Sequence, residues 1–200
     1  MPDALPFGPV GPNAVHLCVD MQRMFAEKTA WHTPWLPRVL PQVVRLCERR
    51  PDRTVFTRFI PASRLGDGEG TWRRYYERWA SMTTERAGPE LAGLVPELAR
   101  FVPPAELYDK RVYSPWQGDL DIRLRHRNVD TLIVSGGETE VCVLATVIGA
   151  VDLGYRVIVA TDALCSTSDE THDAAIDVYR RRYGMQVEPA ETAVILDNWA

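Results

Sequence analysis

Short, mostly apolar runs of four to six residues recur along this chain, and stretches with helical spacing stand between most of them. Ala14-Val-His-Leu-Cys-Val19 stops abruptly at Asp20, as a strand buried on both faces does. Arg53-Thr-Val-Phe-Thr57, Glu106-Leu-Tyr-Asp109, Asp130-Thr-Leu-Ile-Val-Ser135 and Tyr155-Arg-Val-Ile-Val-Ala160 read as four further strands, and Ala193-Val-Ile-Leu196 as a closing one. Residues 34–50, 118–127, 142–153 and 169–182 carry helical spacing. Alternation of this kind gives an α/β chain built on a doubly wound parallel sheet.

Details of the helices sharpen the pattern. Pro41, inside the segment 34–50, predicts a kink or a break. Gly154 stands where a C-cap glycine ends the segment 142–153, and Arg180, Arg181 and Arg182 suit the C-terminal end of the last helix. Residues 61–104 read as a long helical insert between the second and third strands. Its Gly66-Asp-Gly-Glu-Gly70 reads as a loop, since no strand leads into it and no Lys-Ser/Thr follows as a phosphate cradle needs. Trp72, Tyr75, Tyr76 and Trp79 can share one helical face, which reads as core or an oligomer contact, and residues 89–102 are a second short helical segment bracketed by prolines.

At 200 residues and 46% apolar content, the chain fits one globular domain spanning 1–200 with a sizeable core. The net charge of -4 and the lack of a long basic run point to a small molecule or another protein as partner, not to nucleic acid or an anionic membrane. No apolar run is long enough to span a bilayer, and residues 1–12 lack a leader signature, so a cytoplasmic location is expected. Cys18, Cys47, Cys142 and Cys165 lie far apart with no CxxC pair and read as reduced thiols.

In open α/β sheets ligands bind beyond the carboxyl ends of the strands, near the reversal in strand order. Three reactive residues fall at such ends: Asp20 after the first strand, Lys110 after the third, and Cys142 after the fourth by way of a Gly-Gly turn. They supply a nucleophile, a carboxylate to accept its proton and a cation to bias both, which suffices for acyl transfer. A helix start beside Cys142 would push its thiol toward thiolate. Taken singly, each has a plainer reading: Asp20 as a turn residue, Lys110 as a solvated charge beside Asp109, a cysteine as a small core residue. Asp162, after the fifth strand, could touch the site or cap the following loop.

The chain also resembles a known family, the isochorismatase-like cysteine hydrolases, which include nicotinamidases, N-carbamoylsarcosine amidase and ureide hydrolases. The resemblance rests on Val19-Asp-Met-Gln-Arg-Met-Phe25, Lys110-Arg-Val-Tyr-Ser-Pro-Trp116, Ser135-Gly-Gly-Glu-Thr-Glu-Val-Cys-Val143 and Gly154-Tyr-Arg-Val-Ile-Val-Ala-Thr-Asp-Ala163. It implies a three-layer fold with six parallel strands and a catalytic triad of Asp20, Lys110 and Cys142. It further implies a cis peptide between Gly137 and Glu138, with the Glu138 and Cys142 N–H groups as the oxyanion hole. The activity implied is hydrolysis of a C–N bond in a small amide, ureide or lactam through a thioester. Association of family members suggests a homo-oligomer, dimer or tetramer, and residues 61–104 as a lid or an interface.

Phe25, Phe59, Tyr113 and Trp116 lie in loops after the first three strands and are candidate pocket walls, with Gln117 as a polar contact; core packing accounts for each equally well. Nicotinamidases in the family carry an Asp-x-His metal cluster between the Asp and Lys motifs, whereas this chain reads Thr57-Arg-Phe-Ile-Pro61 there. His16, His32, His126 and His172 show no ligand spacing, so no metal and no other cofactor is expected. Two other readings remain: isochorismatase-type vinyl-ether hydrolysis, which uses no cysteine nucleophile, and a non-catalytic binding protein on the same fold. One geometric condition bears on the triad. In the strand order 3-2-1-4-5-6, Lys110 leaves a strand two places from Asp20, about 9 to 10 Å away, and its stem must cover that gap.

Overall fold

A computed structural model describes residues 4–200; the first three residues of the Pro/Gly arm lie outside the described residues. Strand β1 (Ala14–Val19) leads through a short helix α1 (Arg23–Ala26) and helix α2 (Leu36–Arg49) to strand β2 (Thr54–Phe59). Three helices follow in the insert, α3 (Thr71–Arg78), α4 (Thr84–Ala87) and α5 (Pro96–Ala99), before strand β3 (Glu106–Lys110) and helix α6 (Leu120–His126). Strand β4 (Thr131–Gly137) runs through a π-helical turn, Thr139–Val143, into helix α7 (Leu144–Asp152). Strand β5 (Arg156–Cys165), helix α8 (Asp169–Arg182), strand β6 (Val187–Ala190) and helix α9 (Thr192–Asn198) complete the chain.

The six strands form one sheet in the order β3-β2-β1-β4-β5-β6, and every pair is parallel. Alternate side chains on each strand enter opposite layers. Ala14, Cys18, Phe56, Ile133 and Ile158 pack with Val39, Val43 and Leu46 of α2 and Ile195 of α9. Val15, Leu17, Val134 and Val157 pack with Leu124 of α6, Val147 of α7 and Tyr179 of α8. Because both faces are covered, the central strands carry apolar residues without polar alternation. Helix α2 buries Leu36, Val39, Val43 and Leu46, the three- and four-residue spacing of one helical stripe, and it carries Pro41 without breaking. Helix α8 begins where the Ser168 hydroxyl accepts the Thr171 N–H at 3.3 Å, and Asp169 and Glu170 complement its first turn.

Two sequence expectations need correction. Ala193-Val-Ile-Leu196 lies inside helix α9, and the sixth strand is the earlier Val187–Ala190. That strand escapes an apolar pattern because Glu188 is buried in an ion pair with Arg156 at 2.6 Å, while Pro189 is tolerated on a sheet edge. Cys142, expected to open its helix, is the fourth residue of the π-helical turn that begins at Thr139. Asp162 holds the start of α9: its Oδ1 accepts both the N–H and the hydroxyl of Thr192 at 2.7 Å.

Candidate active site

The chain builds outward from β1 to β2 and β3 on one side and returns to β4, β5 and β6 on the other. The reversal therefore falls between β1 and β4, and their carboxyl ends flank a crevice. Gly136 sets how close those ends come: a Cβ there would stand 2.0 Å from the Val19 carbonyl oxygen, and its φ of +109° suits glycine. The next residue begins the turn, and the Gly137–Glu138 peptide is cis. The Glu138 carbonyl accepts the Val141 and Val143 N–H groups at 3.1 Å, closing the π-helical turn around Cys142.

Asp20 ends β1 in the left-handed region, with φ at +52°. Its N–H reaches both the carbonyl and the hydroxyl of Thr57 at 3.2 Å. Its carboxylate is fully buried and held from two sides: Oδ1 accepts the Thr57 hydroxyl at 2.6 Å, and Oδ2 accepts Lys110 Nζ at 2.6 Å. The Lys110 stem thus crosses the end of β2, with Nζ 5.5 Å from the centre of the Phe59 ring and 3.3 Å from the Val112 carbonyl. The two-strand gap is closed. Gln22 braces the same corner, donating to the Phe59 and Ala92 carbonyls at 3.0 and 2.8 Å and accepting the Phe59 N–H at 2.7 Å.

Cys142 completes the cluster, since the Asp20 and Lys110 charges both act on its thiol. Burial pushes that thiol well above its usual range; the Asp20 charge adds to the rise and Lys110 opposes it. A helix start tilts a cysteine toward thiolate, whereas burial of Cys142 works in the opposite direction and raises its pKa. Burial pulls the Lys110 ammonium down, yet Asp20 and Cys142 outweigh it and hold its pKa above the usual lysine value. The three residues named from strand ends form one electrostatic cluster built on the Asp20–Lys110 pair.

Cys142 opens on a cavity of about 280 Å³. Of the expected walls, Phe25, Phe59 and Tyr113 line it. Trp116 and Gln117 do not. Trp116 donates its Nε1–H to the Thr146 carbonyl at 2.8 Å, lies against Gly149 and stacks on Tyr155 at 5.9 Å, so it braces α7 instead. Gln117 faces a second cavity of about 400 Å³ with Asp67, Trp72, Tyr76 and Arg111. Sequence reasoning missed Trp31, Tyr75 and Trp79, which supply most of the remaining aromatic wall, and the polar His32 and Thr167. The stripe on α3 and just beyond it, read as core or contact, is split between the two cavities: Tyr75 and Trp79 face the first, Trp72 and Tyr76 the second. Thr57 and Gln22 were missed too, because a Thr at a strand end and a Gln in a loop carry no distinctive spacing.

Glu138 also lines the Cys142 cavity, and its Oε1 accepts the Thr167 hydroxyl at 2.8 Å. Burial raises its pKa, the Thr167 bond lowers it, and the neighbouring Glu140 charge raises it again. For a metal ion the donor set does not fit. Among the described residues no three His, Cys, Asp or Glu side chains gather to hold one, and Arg58, Phe59 and Ile60 after Thr57 offer no such ligand. No helix among the described residues is long and apolar enough to cross a membrane.

A six-stranded parallel sheet with helices on both faces, and a cavity at its switch point holding a buried Asp–Lys pair beside a cysteine, defines a doubly wound α/β protein of hydrolase-like architecture. The sequence matches the isochorismatase domain over residues 14–192, and the chain belongs to the isochorismatase family. It is 38% identical over 93 residues to YwoC of Bacillus subtilis, an uncharacterized isochorismatase family protein, covering 43% of this chain and about half, 49%, of that relative. The fold is similar to that of a cysteine hydrolase from Pseudomonas syringae pv. phaseolicola, with a TM-score of 0.83, 24% identity and coverage of 99% of this chain and 98% of that one. A pyrazinamidase/nicotinamidase from Streptococcus mutans matches with a TM-score of 0.71 and 27% identity, over 87% of this chain and 99% of that one.

Proposed function

We propose that this protein hydrolyses a C–N bond of a small amide, ureide or lactam, with Cys142 as nucleophile, Asp20 as proton acceptor and donor, and Lys110 as the cation that steadies both. The observation that carries this reading is the buried Lys110–Asp20 pair at 2.6 Å, both members of which act on the Cys142 thiol. A thiol with a raised pKa needs its proton removed as it attacks, and Asp20 is the carboxylate whose charge acts on it. Amide names among similar proteins, such as the nicotinamidase of Streptococcus mutans, support the bond type.

In the proposed sequence, the Cys142 proton passes to Asp20 while sulfur bonds to the substrate carbonyl carbon. The resulting oxyanion is held by the Glu138 and Cys142 N–H groups. Collapse breaks the C–N bond, Asp20 returns the proton to the leaving nitrogen, and ammonia or an amine departs from a thioester. Water then gives a proton to Asp20 and its oxygen to the carbonyl, releasing the acid and restoring the thiol. Loss of an oxyanion donor costs on the order of 10²-fold or more in turnover in comparable sites.

The test is ammonia or amine release from a library of small amides, ureides and lactams, paired with mass spectrometry of the intact protein. Wild-type protein is expected to release product and to accumulate an acyl adduct on Cys142, and a Cys142→Ser variant to do neither. Undiminished hydrolysis by the variant overturns the covalent mechanism.

A further inference from the structure

The cavity beside Cys142 combines two features that the hydrolysis itself does not require. Its wall is a continuous set of rings: Trp31 lies 5.8 Å from Phe59, 5.9 Å from Tyr75 and 6.5 Å from Trp79, and Tyr75 lies 6.4 Å from Tyr113. Into the same space comes the half-buried carboxylate of Glu138. No Lys, Arg or His pairs with that carboxylate among the described residues; its polar partner is the Thr167 hydroxyl and its charged neighbour is another carboxylate, Glu140. Lys110, the cation nearest the nucleophile, is already committed to Asp20. Neither Lys nor Arg lines the cavity.

Such a cavity is short of one positive charge. Aromatic rings present their negative faces to a cation, and rings arranged around a space are the usual means of holding an alkylated or protonated ammonium. A carboxylate that accepts one hydroxyl has lone pairs left for a charge-assisted partner. A substrate bearing its own carboxylate would meet Glu138 with like charge and find no Lys or Arg to answer it, only the imidazole of His32 on the wall. The volume, about 280 Å³, suits a small molecule that touches both Cys142 and Glu138.

We propose that the substrate is a small amide or ureide carrying a cationic nitrogen, whose charge sits among Trp31, Tyr75 and Trp79 against the Glu138 carboxylate while its carbonyl faces Cys142. This rests on the hydrolytic reading of the same site, and it narrows that reading to one substrate class.

Three probes matched in length separate the alternatives: the amide of γ-butyrobetaine, which carries a trimethylammonium group; its tert-butyl isostere, which is neutral; and glutaramate, which is anionic. Binding is read by calorimetry and by tryptophan fluorescence on the Cys142→Ser variant, so that turnover does not intervene. The cationic amide is expected to bind on the order of 10-fold tighter than the isostere, with glutaramate weakest. Adding Glu138→Gln, which keeps the side chain's size, is expected to remove most of the cationic advantage. Equal or tighter binding of the neutral or anionic probe, no binding of the cationic one, or an advantage that survives Glu138→Gln each overturns the proposal. Hydrolysis is followed separately on wild-type protein: Cys142-dependent cleavage with the preference inverted sinks this inference and leaves the hydrolytic reading standing. Cation binding with no cleavage of any amide does the converse.

Discussion

At the scale of single residues, the pair Asp20–Lys110 is worth more to this protein as a unit than either member alone. Both side chains are essentially excluded from solvent, at 0% and 3% exposure. Lys110→Met leaves a buried carboxylate without its cation, a change that costs about 3–5 kcal/mol in comparable pairs. Urea unfolding should show that loss, and the double variant Asp20→Asn/Lys110→Met should recover most of it while remaining inactive; a double variant no more stable than Lys110→Met would contradict the pairing. The raised Cys142 pKa gives a second expectation. Because the thiol stays protonated through neutral pH, alkylation by iodoacetamide should accelerate about tenfold per pH unit well into the alkaline range, without levelling near pH 9.0. Cys142 should still react before Cys18, Cys47 and Cys165, because it alone of the four borders the cavity; equal labelling of all four would remove its special access. That Asp20, Lys110 and Cys142 would cluster was legible because each falls at or shortly after a strand's carboxyl end, where open α/β sheets bring such residues together. Thr57 was not, since nothing in a lone hydroxyl announces that a carboxylate two strands' reach from a lysine will settle on it.

At the scale of elements, the strand–helix alternation could be read directly wherever a run was long and apolar on both faces, as in β1, β4 and β5. It failed at the C-terminus, where two short segments exchanged roles. Ala193 to Leu196 is four apolar residues with no period to tell strand from helix, while the true edge strand hides a buried Glu188 and a Pro189. What decides for helix is tertiary: Asp162, in the second half of β5, accepts both donors of Thr192 and so fixes the first turn of α9. Its replacement in Asp162→Ala should cost about 0.5–2 kcal/mol, the usual range for a lost N-terminal cap. Hydrogen exchange should place the opening in residues 192–198, the span of α9, ahead of the sheet; uniform protection across the variant would show that the cap is idle. The aromatic face of α3 illustrates the opposite limit. Its spacing was readable, but which rings face a cavity depends on how the insert folds over β2 and β3, and helical spacing is silent on that.

At the scale of the whole molecule, the group that links stability to pH lies in the middle of the sheet. His16 is on central strand β1, wholly buried, with Nε2 2.7 Å from the Ser135 hydroxyl and Nδ1 3.7 Å from the Cys47 sulfur of α2. Burial depresses its pKa from 6.5 to about 3, so the folded protein keeps the ring neutral through the mildly acidic range. The unfolded chain takes up that proton below 6.5 and the folded one does not until about 3. Across this window the unfolded state holds one more proton, and stability falls as the pH falls, by about 1.4 kcal/mol for each unit once well below the unfolded value. Charging the ring would bury an unpaired cation in the middle of the sheet and turn its one acceptor nitrogen into a second donor, so the loss should appear as cooperative unfolding of the sheet and both helical layers together. Urea titrations between pH 7.5 and 4.5 on wild type and on His16→Gln separate this group from the carboxylates that also titrate there. Whatever stability the variant loses at neutral pH, its slope with pH should be shallower than the wild-type slope by about the amount one proton contributes. Parallel slopes would mean that the central strand tolerates the charge and that acid sensitivity arises elsewhere.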